Sequence, residues 1–131
     1  MTQRFARPLT ALIATLALAT PARAADWKSV GATFNGNQIF VDAPATRVLG
    51  DLRTTWVRVV YARPIDVDGL AARSTEALAH FDCRTGASAG IAVIFYDDGG
   101  RLLKYSLEDT VVFHRDPDGS FGDLVGKALC R

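Results

Sequence analysis

Ser120-Phe121-Gly122-Asp123-Leu124-Val125-Gly126-Lys127-Ala128-Leu129-Cys130 is the stretch on which the reading of the fold turns. Ser120 is a good helix cap, and Asp123 stands three residues later as the acid of a weak capping box. Phe121, Leu124, Val125, Ala128 and Leu129 follow the i, i+3, i+4, i+7, i+8 spacing of one helical face. Asp116-Pro117-Asp118-Gly119 turns the chain just before it. A single amphipathic helix cannot bury its stripe alone, so the rest of the chain must supply a sheet.

Upstream residues do read as strands. Leu52 to Ala62 is the clearest, with Thr55, Val57, Val59 and Tyr61 on one face and Thr54, Trp56, Arg58 and Val60 on the other. Pro64 and Asp66-Val67-Asp68-Gly69 are expected to end it. Before it, Asp26 to Thr33 and Gln38 to Asp42 flank Asn35-Gly36-Asn37 as a hairpin, and Ala43-Pro44 breaks the pattern. After it, Arg73 to Arg84 alternates Ala77, Ala79, Phe81 and Cys83 against Glu76, His80 and Asp82, with Leu78 the exception on the polar side. Ala89 to Tyr96 is apolar on both faces, as in a central strand, and Asp97-Asp98-Gly99-Gly100 turns it into Arg101 to Ser106. Val111 to His114 is a last extended piece.

The chain has 131 residues, 49% hydrophobic and 22% charged, with 15 basic against 14 acidic side chains. That suits one small globular domain and leaves no room for a dinucleotide-binding pair or a TIM barrel. Arg4 and Arg7, the apolar run Leu9 to Ala19, and Pro21-Ala22-Arg23-Ala24 form a secretory signal with cleavage expected after Ala24. The apolar run, about 11 residues, is too short to span a bilayer. Cleavage would remove Arg4, Arg7 and Arg23 and no acid, leaving 12 basic residues against 14 acidic in about 107 residues. Such a balance excludes a basic field for nucleic acid. No cysteine near the cleavage site can accept a lipid anchor. The expected organisation is a signal at 1–24 and one domain at 25–131, periplasmic or secreted.

Cys83 and Cys130 are the only cysteines, and export puts them where a pair normally bridges. A disulfide closing about 47 residues stabilises by about 4 kcal/mol in the chain-entropy model. The alternative, a catalytic thiol served by His80, is disfavoured because residues three apart on a strand point to opposite faces. Ala77 and Ala79 share a face with Cys83, and side chains that small would let a helix approach while Cys83 reaches Cys130. The predicted fold class is therefore α+β: an antiparallel sheet of about six strands with a C-terminal α-helix packed on one face and tied by the disulfide.

Gly86-Ala87-Ser88-Ala89-Gly90 matches the G-x-S-x-G nucleophile elbow by letter. That motif needs a following helix and a later acid and histidine, whereas Ile91 to Tyr96 continues as strand. A serine hydrolase using Ser88 is the enzymatic alternative; no catalytic residue is assigned in the preferred reading. His80 and His114 have no ligand spacing, and the Asp-rich tips at 66–69, 97–99 and 116–119 fall short of a calcium loop, so no metal or cofactor is expected. Trp27, Trp56, Tyr61, Tyr96 and Tyr105 supply core and sheet surface. One helix covers only one face, so Trp56, Val60, Ile94 and Tyr96 are expected to load the other, with Trp56 and Tyr96 as a candidate binding surface or homodimer contact.

The order of Trp27, Phe40-Val41-Asp42, Trp56, Tyr61, Pro64, Arg73-Ser74, Asp82-Cys83, Tyr96-Asp97, Gly119-Ser120 and Cys130 resembles the surface-adhesin protein E family of Gram-negative envelope proteins. The resemblance spans nearly all of residues 26 to 130. It implies a curved antiparallel sheet with the helix tied to its concave side, and a non-enzymatic role in binding a protein or extracellular-matrix ligand such as vitronectin, laminin or plasminogen. The adhesin that names the family is a dimeric lipoprotein, whereas this chain lacks a lipidation cysteine. Beyond residue 24 its only lysines are Lys28, Lys104 and Lys127. A purely structural envelope role is equally compatible with the sequence.

Overall fold

The computed structural model describes residues 25–131; the expected signal at 1–24 lies outside the described residues. Eight strands form one antiparallel sheet: β1 (Trp27–Ala32), β2 (Gln38–Asp42), β3 (Arg47–Leu49), β4 (Leu52–Val67), β5 (Leu70–Asp82), β6 (Ala87–Tyr96), β7 (Leu102–Leu107) and β8 (His114–Arg115). One helix, α1 (Phe121–Leu129), follows. The main path runs β1-β2-β4-β5-β6-β7, with β3 on β4 and β8 on β6. The sheet is curled, and the protein is mostly β rather than a balanced α+β. The count differs from about six because β3 and β8, three and two residues long, are too short to show a period.

The long strand is also longer than its sequence indicates. β4 continues through Pro64 to Val67, and β5 begins at Leu70 instead of Arg73. Val60 pairs with Ser74 and Ile65 with Ala72, so four residues of β4 bulge opposite one of β5. Pro64, with no N–H to give, sits inside this bulge where the ladder is interrupted. The bulge is tied down from outside: Ala62 N donates to Asn37 Oδ1 at 3.0 Å, and the Tyr61 and Thr75 hydroxyls are 2.6 Å apart. Asp68 and Gly69 then turn the chain in two residues, both at positive φ (52° and 81°), as a tight hairpin requires.

The core lies on the face that α1 covers. Ile39, Val41, Val57, Val59, Ala79, Phe81 and Val125 are buried together, with Val30, Tyr61, Leu124 and Leu129 packed around them. Ser120 Oγ accepts from Asp123 N at 3.4 Å, as a cap should. The reciprocal bond is made one residue earlier than expected: Asp123 Oδ2 accepts from Gly119 N at 2.9 Å, and it also meets Lys127 Nζ at 2.9 Å. The Cys83–Cys130 disulfide joins the end of β5 to the helix C-cap across a Cα–Cα distance of 5.3 Å. At Gly126 the helix leaves room for a methyl group against the sheet. A Cβ on Gly126 would stand 3.9 Å from the Phe81 ring.

Candidate functional site

α1 covers one face of the sheet and leaves the other open. Registered partners in an antiparallel sheet share a face, so three rungs can be read directly from the pairing. Val60, Ser74, Tyr96 and Leu102 form one. Phe40, Arg58, Glu76, Ile94 and Tyr105 form the next. Trp56, Leu78, Ala92 and Leu107 form the third. Trp56 and Tyr96 thus occupy the same face, two rungs and two strands apart, which is roughly 16 Å by ordinary strand spacing. They flank a surface rather than touch.

Charged groups lie between them. The Arg58 guanidinium stands 5.8 Å from the Trp27 ring centroid in a cation–π contact, and its Nε is buried without a hydrogen-bond partner among the described residues. Tyr96 OH donates to Glu76 Oε2 at 3.4 Å. Burial, reinforced by the Glu76 charge and that bond, raises the Tyr96 phenol above its ordinary range. Further along β5, His80 Nδ1 and Thr54 Oγ1 are 2.7 Å apart, and the His80 ring stacks on Phe113 at 6.2 Å. His80 pairs with the small, fully buried Ala89, which leaves space for Phe113 to reach the imidazole.

At the β7 edge this face exposes a run of apolar side chains. Tyr105 and Leu107 of β7 are each 67% exposed and Leu102 is 52% exposed, while the outer backbone edge of β7 has no partner strand among the described residues. Single exposed hydrophobic residues are ordinary, but three on one short edge strand are a patch.

On the helix side, Ser88 is only 6% exposed. Its hydroxyl donates to Asp116 Oδ2 at 2.5 Å, and His114 Nε2 lies 3.5 Å from the other oxygen of the same carboxylate. The carboxylate therefore stands between serine and imidazole, whereas a nucleophilic serine needs the imidazole on its own oxygen. Ser88 also begins a strand, with no helix behind it. The hydrolase reading is not favoured. Asp116 instead packs on the first turn of α1, so closely that a Cβ on Gly122 would overlap its carboxylate. The acidic tips are turn acceptors: Asp97 Oδ1 receives Gly99 N at 3.0 Å and Arg101 N at 2.8 Å, and Asp68 pairs with Lys104 at 2.6 Å. Among the described residues no three His, Cys, Asp or Glu side chains gather as a metal-ligand set.

Sequence reasoning missed Arg58, Phe113, Asp116 and Gly122 as members of these two clusters. The pair Gly122 and Gly126, four apart inside a helix, was the available signal for Asp116, since glycine there costs helix stability and asks for a close neighbour.

The geometry defines a class: a small β-sheet domain with one helix clamped to one face by a disulfide and the opposite face left to solvent. The chain belongs to the surface-adhesin protein E family, whose profile matches residues 27–131. It is similar in structure to Haemophilus influenzae protein E, with 16% identity and a TM-score of 0.54 over 83% of this chain and 89% of that one. A second crystal form of protein E gives 14% identity and a TM-score of 0.54 over 76% and 85% of the two chains. Protein E from non-typeable Haemophilus influenzae gives 16% and 0.51 over 86% and 81%. At such identities the likeness is one of fold. No curated protein matches the chain in sequence.

Proposed function

We propose that this chain is an exported, non-enzymatic adhesin-type domain that binds a protein partner through the sheet face opposite α1. The observation that carries the reading is the exposed aromatic and aliphatic edge, Leu102, Tyr105 and Leu107, continuous by register with Ile94, Glu76, Arg58 and Trp56. Aromatic and arginine groups are the usual anchors of protein interfaces. Family membership supports a surface-binding role. The partner chemistry is that of a protein, of the envelope or of the extracellular matrix, with complementary apolar and acidic groups.

A photo-crosslinking residue placed at Tyr105 should capture a discrete partner in the native envelope, whereas the same residue at Leu124, beside the helix-side core, should not. Equal capture from both positions, or from neither, overturns the reading. Export is tested separately: protein recovered from the periplasm or medium should begin at Ala25, and an uncleaved Met1 terminus would refute it.

The β7 edge favours a second reading, in which the occupant is another copy of this chain joined edge to edge. Light scattering at micromolar concentration should then give twice the monomer mass, reduced to the monomer by Tyr105→Ser with Leu107→Ser. A monomeric mass throughout eliminates it.

A further inference from the structure

A cleft of about 400 Å³ opens on the same face, between the short 3-10 turn Ala43–Ala45 and the β4–β5 ladder. Trp56 and Leu78 pair across its floor, and Thr54 and Arg47 pair along its rim. Its far wall, Pro44 to Thr46, is fixed. Thr46 Oγ1 donates to Asp42 O at 3.1 Å and lies 2.8 Å from Thr55 Oγ1, which is itself buried in β4. A wall held by proline and two hydroxyl bonds needs little ordering when a ligand arrives.

The polar groups around the indole divide into two kinds. Arg47 is exposed and has no hydrogen-bond or ion-pair partner among the described residues. The acids nearest in register on β5 are committed elsewhere, Asp82 to Arg84 and to backbone N–H groups, Glu76 to Tyr96. Arg47 is thus a free donor fork for a carboxylate. The Thr46 hydroxyl is turned to Asp42 O and to the Thr55 hydroxyl on the helix-side face of β4, away from the indole, while the Thr54 hydroxyl, on the indole's own face, is hydrogen-bonded with His80 Nδ1. The Thr54 oxygen keeps a lone pair, so toward a ligand it accepts from an O–H group. An apolar plate, one hydroxyl acceptor and one cation match a ring with a C–H face, hydroxyls on its rim and one carboxylate.

We propose that this cleft binds an acidic sugar, its pyranose face laid on Trp56 and its carboxylate on Arg47. The volume suits one or two rings, at the small end of ordinary ligand sites. The inference rests on the reading above only in taking this face to be free; its ligand, position and variants differ from those of the protein-binding edge.

The test is an NMR titration of the folded 25–131 chain, disulfide intact, following the Trp56 indole N–H, identified by its loss in Trp56→Leu. The probes are a glucuronate–N-acetylglucosamine disaccharide, N-acetylmuramic acid and neutral chitobiose. The Trp56 signal should move with at least one acidic sugar, and the tighter of the two shows whether a uronate polymer or peptidoglycan is the source. Affinity should fall roughly tenfold or more in Arg47→Ala and with chitobiose, as expected for one charge-assisted contact. No movement of Trp56 with either acid, equal affinity for chitobiose, or unchanged affinity in Arg47→Ala would overturn the proposal. Arg47 is exposed, so that variant should fold even where Trp56→Leu does not. Capture at Tyr105 reads the protein-binding edge whatever the sugars do, so the two proposals fail independently.

Discussion

The two faces of the sheet are built on different terms. Under α1, Ile39, Val57 and Val125 have no exposed surface, and the polar groups nearby have partners. On the opposite face no large side chain of β4 or β6 is fully buried, and the Arg58 Nε, beside the Trp27 ring, lies buried without a hydrogen-bond partner among the described residues. The first arrangement gains stability from apolar burial and covalent closure. The second spends apolar surface on exposure, which folding alone does not call for. One face should therefore answer mutation mainly in unfolding free energy, the other mainly in binding.

The disulfide is the sharpest way to break that contrast. Replacing Cys83 and Cys130 by serine should cost about 4 kcal/mol for a loop of this size. In a domain of about 107 residues that corresponds to a fall in the unfolding midpoint of roughly 15 °C or more. Thermal unfolding followed by circular dichroism measures it. If the midpoint barely moves, the helix is held by Val125, Leu124 and Leu129 alone and the clasp is incidental.

Next in size is Gly122→Ala. The new methyl would overlap the Asp116 carboxylate, which is packed at 9% exposure and bonded to Ser88. Either the helix lifts or the Ser88 bond breaks, at a cost of about 2 kcal/mol. Gly126→Ala, whose methyl would find Phe81 at 3.9 Å, should be neutral or slightly stabilising, because alanine favours the helix by up to about 1 kcal/mol. In an Asp116→Ala background the penalty at Gly122 should largely vanish. Additive losses in that double-mutant cycle would show that Asp116 is not the obstruction.

How far the sequence revealed this contrast depends on the range of the signal. The helix, its serine cap and the β1–β2 hairpin rest on residues a few positions apart, and they stand where pattern placed them. Trp56 and Tyr96 fell on one face by alternation alone. Pro64 misled because a proline usually ends a strand; here a bulge removes the ladder bond it could not make, and Asn37, 25 residues away, satisfies the neighbouring Ala62 N–H. Arg58 over Trp27, Phe113 on His80 and Ser88 on Asp116 all depend on register between distant strands or loops. No local period encodes register.

The helix cap gives a smaller effect, with a direction fixed by pH. Hydrogen bonds from Lys127 and from Gly119 N hold the Asp123 carboxyl below its usual range. A carboxylate so depressed stabilises the fold above its unfolded value, about 4, and that contribution is lost as pH falls through the lower folded value. Asp123→Asn should therefore flatten the loss of stability below about pH 4 and leave the profile near pH 7 to 9 parallel to that of the parent. Denaturant midpoints at a series of pH values give the comparison. A parallel acid limb would show that the bond to Gly119 N does not depend on the charge.

The smallest stability effect belongs to the open edge, and it separates the two faces most cleanly. Tyr105→Ser with Leu107→Ser removes side chains that are two-thirds exposed, so unfolding free energy should change by no more than about 0.5 kcal/mol per site. Apolar surface that folding leaves exposed has only association left to contribute to. The same variant should therefore lose whatever binds at this edge, read as disappearance of the crosslinked product or of the dimer mass at unchanged denaturant midpoint. A large loss of stability would instead place Tyr105 and Leu107 in the folding core, and the distinction between a face that holds the fold and a face that meets a partner would fail at the β7 edge.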